Sequence, residues 1–386
     1  MAEFTRDYLN ALVALRHQLH KEPEVAHEEQ FTSAIIADFL KHFTPDALIT
    51  GLGGNGLAAV FKGKKKGPVV LFRCELDGLP INESNDVSYR STKEGKGHLC
   101  GHDGHMAIVS GLAPLLSANR PEKGTVVLLY QPAEETGEGA RLVMKDKRFS
   151  ALNIEYAFAL HNLPGFGKST VIVRNGIFAS ASKGLIVTLK GTSSHAGHPE
   201  DGKNPSLAAS MIIQALLSLP STVTSLRENA MVTPIHTRIG GPAFGTSPGE
   251  GVVMFTLRAH SNETMDLLMK EAVTTAERIA SAHGISPGIE RTEPFDAVNN
   301  DEACVGLITE VARSLDLKVT EQPDPFPWSE DFGVFTGAHR GALFGLGAGA
   351  RHHQLHNERY DFPDELIEPG VKMFYGIADR LLNSNT

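Results

Sequence analysis

Cysteine is scarce in this chain: Cys74, Cys100 and Cys304 are the only three in 386 residues. So few, so widely spaced, cannot build a disulfide framework, and a reducing compartment, the cytoplasm, is the expectation. Basic charge is not in excess either, with 36 Lys+Arg against 45 Asp+Glu and a net charge of -9. The one basic tract, Lys64-Lys65-Lys66, lies between Gly63 and Gly67 and reads as a hairpin tip. A nucleic-acid partner is therefore not expected. No apolar run approaches the roughly 18 residues of a membrane span, so no membrane partner is expected. The opening MAEFTRDYLN lacks an apolar core flanked by basic residues, and no secretory signal is read there. Internal repeats and low-complexity segments are missing too. What the chain has in quantity is histidine, 17 residues, several of them bunched.

At this length two domains are expected. Helical spacing runs from Tyr8 to His20 and from Gln30 to Phe43, then from Met106 to Leu116 and Gly139 to Lys145. Between these lie short β-branched and apolar runs, Leu57 to Phe61, Val69 to Phe72, Val126 to Tyr130 and Tyr156 to Leu160. The alternation predicts an α/β catalytic domain with a mostly parallel sheet flanked by helices. Near Gly176 the rhythm changes. Strands at Leu185 to Leu189, Met231 to Ile239 and Val252 to Leu257 alternate with helices at Pro205 to Leu219 and Thr264 to His283. This predicts an inserted smaller α+β domain over residues 178–290, with 1–177 and 291–386 forming the discontinuous main domain. The main pattern resumes with a helix at Glu302 to Ser314, a strand at Gly341 to Leu346 and a last helix from Pro369 to Leu382.

Metal-ligand chemistry gathers in four places, each at the end of a strand or the start of the next helix. His98-Leu99-Cys100-Gly101-His102-Asp103-Gly104-His105 puts a thiol and three imidazoles in one short segment. Gln131-Pro132-Ala133-Glu134-Glu135 follows a strand, His161 follows another, and His352, His353 and His356 follow a glycine-rich run. In an open α/β sheet the carboxyl ends of the strands are where ligands bind, so these clusters can converge. Imidazole and thiolate suit zinc, and carboxylate with imidazole suits manganese, cobalt or nickel as well. The donors are too many for one catalytic ion and suit two, about 3.5–4 Å apart, the arrangement used to split amides and phosphoesters. A lone histidine is more often a hydrogen-bonded structural residue, and His20, His27 and His283 are read that way.

The segments RHQLHKEPE, CELDGLPINE, HLCGHDGH, QPAEETGEGA, ALHNLPG, SSHAGHP, SEDF and LHNERYDF, in this order, resemble one family over nearly the whole chain. It is the aminoacylase and carboxypeptidase-G type metallohydrolases, in the amidohydrolase branch that holds hippurate hydrolases and indole-acetyl-amino-acid hydrolases. The resemblance implies two divalent ions per subunit, of manganese, zinc, cobalt or nickel, on Cys100, His102, Glu135, His161 and His356, with Cys100 bridging. It implies Glu134 as general base, Asp77 as the acid that orients a ligand histidine, and His195 as the histidine supplied by the inserted domain. That domain is expected to act as a lid and to carry a homodimer or homotetramer contact. Arg258 matches a lid arginine near the substrate carboxylate; as a bare residue it reads equally as a strand arginine facing solvent. The function implied is hydrolysis of the amide bond of N-acyl amino acids, with a dipeptidase or aminopeptidase on the same scaffold as the alternative. The chain departs from the branch at Glu75, where Asp is usual, at Gly245, where Asn is usual, and near Ser182, where an acid is absent. Those changes touch substrate preference.

Two motifs are decoys. Gly51-Leu52-Gly53-Gly54-Asn55-Gly56 satisfies a dinucleotide fingerprint but leads into a strand and not a helix, so it reads as a turn. Gly245-Thr246-Ser247-Pro248-Gly249 spells a serine-hydrolase elbow, yet Pro248 lacks the N–H an oxyanion hole needs. Trp328 and Ser329-Glu330-Asp331-Phe332 read either as acyl-pocket lining or as packing, the latter for Phe332.

Overall fold

The computed structural model describes residues 5–383, so the reading of the opening segment falls partly outside it, on residues 1–4. The described chain divides into two compact units. The first holds residues up to Phe178, Val298–Asp324 and everything from Asp331 on; the second holds Ala179–Ala297 with Pro325–Glu330.

The first unit is built on an eight-stranded sheet in the order Ala47–Leu52, Gly56–Lys62, Lys123–Gln131, Lys65–Glu75, Tyr156–Pro164, Arg340–Gly349, Val171–Val173, Val319–Glu321. Its centre is parallel, from Lys123–Gln131 through Lys65–Glu75 and Tyr156–Pro164 to Arg340–Gly349. The two strands at the first edge run antiparallel. Strands covered on both faces need no polar alternation. Val126, Leu128 and Tyr130 face a large cluster formed with the helices Arg6–Lys21, His102–Ser110, Glu302–Ser314 and Ile367–Leu382. Val127 and Leu129, on the opposite face, are equally buried. Because Lys123–Gln131 lies between Gly56–Lys62 and Lys65–Glu75, the lysine tract is no hairpin tip. It links two strands that are not paired with each other. The glycine-rich decoy at 51–56 is the tight turn joining the first two antiparallel strands.

The second unit has a four-stranded antiparallel sheet, Met231–Ile239, Glu250–Ala259, Ala181–Lys190 and Ser286–Phe295 in that order, with the helices Ser206–Val223 and Asn262–Ala282 packed on it. The boundary expected at residue 290 would cut the Ser286–Phe295 strand, which pairs along its length with Ala181–Lys190. That strand is polar and half-exposed, so its sequence carries no apolar signal. Pro325–Glu330 joins this unit through bonds from Ser180 and Arg258 to the carbonyls of Phe326 and Pro327. The helix Ser206–Val223 is long and apolar enough to cross a membrane by length and composition, with mean hydropathy 1.5. This corrects the expectation that nothing approaches that length: serines and a glutamine interrupt the run without lowering its average much.

One buried ion network fixes the helix that opens at His102. Arg16 donates to Asp103 (2.6 Å) and pairs with Asp361 and Asp364, while His20 bridges Asp103 (2.9 Å) and Glu83 (3.1 Å). Burial disfavours charge on His20, but Asp103 and Glu83 outweigh it and raise the imidazole to about 9. Arg16→Met leaves Asp103 buried without its main counter-charge. Breaking such a pair costs about 3–5 kcal/mol, to be read as lost unfolding free energy in urea; a loss under 1 kcal/mol would show that the network contributes little.

Candidate metal centre

The parallel strands deliver their carboxyl ends to one place, and the four sequence clusters meet there. After Lys65–Glu75 the chain continues through Leu76 to Asp77, both fully buried. After Lys123–Gln131 it turns sharply, with Ala133 at φ 50°. A non-glycine residue there is strained and needs support. Glu29, fully buried, accepts the Ala133 N–H at 2.7 Å, and the Ala133 carbonyl accepts from Gly139 at 3.0 Å. His161 lies within its strand, opposite Gly345. His356, also left-handed at φ 65°, is pinned by its N–H to the Leu99 carbonyl at 2.8 Å. Gly101, at φ 92°, caps the helix that starts at His102, and a Cβ there would stand 2.3 Å from Asn162 Oδ1. Only glycine fits.

Cys100, His102 and His161 bring donor atoms within 4.8 Å of one another, and so do Cys100, Glu135 and His356. His102, Glu134 and Glu135 form a third such group. Cys100 is thus common to two donor sets. Its Sγ is 3.6 Å from His161 Nε2, His102 Nε2 is 3.8 Å from Glu135 Oε1, and His356 Nε2 is 3.7 Å from the same oxygen. Donors held 2.0–2.3 Å from one tetrahedral ion stand roughly 3.3–3.8 Å apart, so the spacing suits metal coordination. Among the described residues, the buried Nε2 of His102 has no hydrogen-bond partner. Such an atom is costly unless something other than protein meets it, and a cation fits that need. His102 Nδ1 donates to the Asp77 carbonyl (2.7 Å) and the His161 Nδ1 to the Asn162 carbonyl (2.9 Å), so both neutral rings present an unprotonated Nε2 to the cluster.

The part played by Asp77 differs from the sequence reading. Its backbone carbonyl, not its acid, holds His102; the carboxylate Oδ1 is 3.8 Å from the ring. The carboxylate accepts the backbone N–H groups of Glu134 (3.1 Å) and Glu135 (2.9 Å) and so aims the glutamate pair. Glu134 is buried, with Oε1 3.4 Å from the Asp331 N–H and Oε2 3.9 Å from His102 Nε2. Sequence reasoning missed Glu29, which has no local pattern that ties it to a turn about a hundred residues away; Asp331, read as pocket lining or packing, also meets Glu134 through its N–H. From the same histidine-rich motifs, His353 is exposed and His352 is bonded to the Asp361 carbonyl.

The second unit carries His195 and Arg258. His195 is exposed, in a two-residue strand paired with Thr246–Ser247, and its Nδ1 accepts the Gly197 N–H at 3.0 Å. A neutral His195 therefore carries its proton on Nε2, as a donor. Arg258 is half-buried, and its Nη1 donates to the Pro327 carbonyl and Ser329 Oγ, both at 3.0 Å. Burial lowers the guanidinium from its usual value. Phe332, in the first unit, is fully buried near Phe335, as packing requires.

Comparison with known proteins agrees with this centre. An N-acetyl-L-cysteine deacetylase of Bacillus subtilis is 31% identical over 97% of this chain and 89% of its own. A hippurate hydrolase of Campylobacter jejuni is 30% identical over 95% and 96%. The Bacillus subtilis YXEP protein, described as a dinuclear metal binding peptidase, superposes with a TM-score of 0.82 at 25% identity, covering 98% of this chain and 99% of that one. The model of Peptidase family M20/M25/M40 matches residues 71–380. With its mixed α/β fold, its candidate ligand groups and that match, the chain belongs to Peptidase family M20/M25/M40 and is a hydrolase.

Proposed function

We propose that this hydrolase cleaves the amide bond of N-acyl amino acids, acetyl or aroyl, to a carboxylic acid and a free amino acid, using two divalent ions. The observation that carries it is the Glu134–Glu135 pair, aimed by Asp77 beside two donor sets that share Cys100. Cys100, His102, Glu135, His161 and His356 would hold the ions, of manganese, zinc, cobalt or nickel. Bound ions would supply positive charge that acidifies water and polarises an amide carbonyl.

The chain's own groups divide the remaining work. Glu134 takes the water proton on Oε2, the oxygen facing the donor cluster, and returns it to the departing amine as the C–N bond breaks. Its other oxygen stays with the Asp331 N–H, which limits rotation of the carboxylate. His195 donates from Nε2 to the developing oxyanion, a contribution of roughly 2.7–4 kcal/mol for one donor. Arg258, with Nη1 engaged, offers its remaining N–H groups to the substrate carboxylate. The relatives named as a deacetylase and a hippurate hydrolase support acyl groups of both kinds.

We also propose that the chain self-associates as a homodimer or homotetramer through its second unit. Leu207, Met211 and Leu217 on the Ser206–Val223 helix, and Met231 and Ile235 on the edge strand Met231–Ile239, are exposed large apolar side chains. An open edge strand and an apolar helix face on one unit invite pairing with their like.

Glu134→Gln should keep its metal and fold while amine release from N-acetyl or N-benzoyl amino acids drops by several orders of magnitude; near-normal turnover with metal retained sinks the general base. Cys100→Ala should bind clearly less than the wild-type complement of ions by elemental analysis, and full occupancy would remove the thiol from the ligand set. In light scattering, Ile235→Lys with Leu217→Glu should turn an oligomer into monomer. An oligomer that survives both changes refutes this contact.

A further inference from the structure

Behind the donor cluster lies a line of buried side chains that the proposed chemistry does not use. Arg73, Glu75, His105 and Asp331 are all within 1% of complete burial. Arg73 and Glu75 are two residues apart on one strand and so project from the same face. Asp331 Oδ1 accepts from Arg73 Nη2 at 2.5 Å, Arg73 Nη1 pairs with Glu75 Oε1, and Glu75 Oε2 accepts from His105 Nδ1 at 2.7 Å. At the other end of the imidazole, the Asn162 N–H donates to His105 Nε2 at 3.2 Å. Asn162 directly follows His161, and its carbonyl is the acceptor for His161 Nδ1.

An imidazole that accepts a backbone N–H at Nε2 must be neutral with its proton on Nδ1. Glu75 is the acceptor that keeps the proton there, and Arg73 supplies the counter-charge for a buried carboxylate. Both ring nitrogens of His105 are thereby committed to hydrogen bonds. Glu75, His102 and His105 do bring donor atoms within 4.8 Å of one another. The guanidinium on one Glu75 oxygen and His105 on the other argue against a cation there.

We propose that Glu75 and His105 are positioning residues for His161. Glu75 sets the His105 tautomer, His105 holds the Asn162 amide, and the Asn162 peptide fixes the ring that turns its unprotonated Nε2 toward Cys100. The inference rests on the reading of His161 as a metal ligand. In Glu75→Gln the amide oxygen stays with Arg73 and the NH2 group faces His105 Nδ1. That nitrogen must then accept, so the proton moves to Nε2 and opposes the Asn162 N–H.

The test uses metal-free full-length protein labelled with 15N-histidine, with His105 assigned by its loss in His105→Gln. Two-bond proton–nitrogen spectra should show His105 protonated on Nδ1 alone in the wild type and on Nε2 in Glu75→Gln. Calorimetric titration with Mn2+ or Zn2+ alone should show binding to folded Glu75→Gln weakened roughly 10- to 100-fold. A purely structural role would lower the unfolding temperature of that variant while leaving its tautomer and ion affinity as in the wild type, and that result overturns the proposal. So does wild-type His105 protonated on Nε2 or on both nitrogens, which is readable even where the variant does not fold. Wild type that takes up neither ion instead overturns the ligand reading of His161, whatever the His105 spectrum shows.

Discussion

Asp77 holds two sides of the donor cluster at once, through two chemically different groups of one buried residue. Its carbonyl accepts from His102 Nδ1, and its carboxylate accepts the N–H groups of Glu134 and Glu135. The carbonyl sets which nitrogen of His102 is bare; the carboxylate sets where the adjacent glutamates start. A side chain alone could not do both. The arrangement requires the backbone of 75–77 to leave its strand directly beside the end of Lys123–Gln131, which the parallel pairing and the Leu76 N–H to the Gln131 carbonyl (2.8 Å) secure. From that junction the rest of the centre follows, including the left-handed turn at Ala133 and its support by Glu29.

Around this junction the protein uses buried charge with care. Burial of unpaired ions is costly, so each is matched: Arg16 with Asp103, Asp361 and Asp364, and Arg73 with Glu75 and Asp331. The first network anchors the helix that opens at His102, and the second stands behind His161. Both place rigid support under histidines whose Nε2 atoms face the cluster, which is the order a pre-formed coordination site needs.

Much of this was legible in the sequence because the signals were local. The strand-end placement of Glu134–Glu135 and the dense motif from His98 to His105 pointed to one crevice, and His161 pointed there too, although its strand runs on to Pro164. Strongly apolar strands such as Val126 to Tyr130 were equally plain. The polar strand Ser286–Phe295 was not, since its identity comes from pairing with Ala181–Lys190 and not from its own residues. The division of labour within Asp77 was hidden for a similar reason, because sequence names the side chain while the carbonyl does half the work. His105 looked like one more ligand imidazole, and only its two hydrogen-bond partners remove it from that group.

The reaction proposed for this centre is amide hydrolysis of N-acylated amino acids, as distinct from cleavage of peptides with a free amine. Amine release from a panel of N-acetyl and N-benzoyl amino acids, run beside unblocked dipeptides after reconstitution with manganese, zinc or cobalt, tests that directly. Turnover of the blocked substrates is expected, with little of the free-amine dipeptides. Cleavage of the dipeptides with silence across the acylated panel would contradict it and give the scaffold to a peptidase.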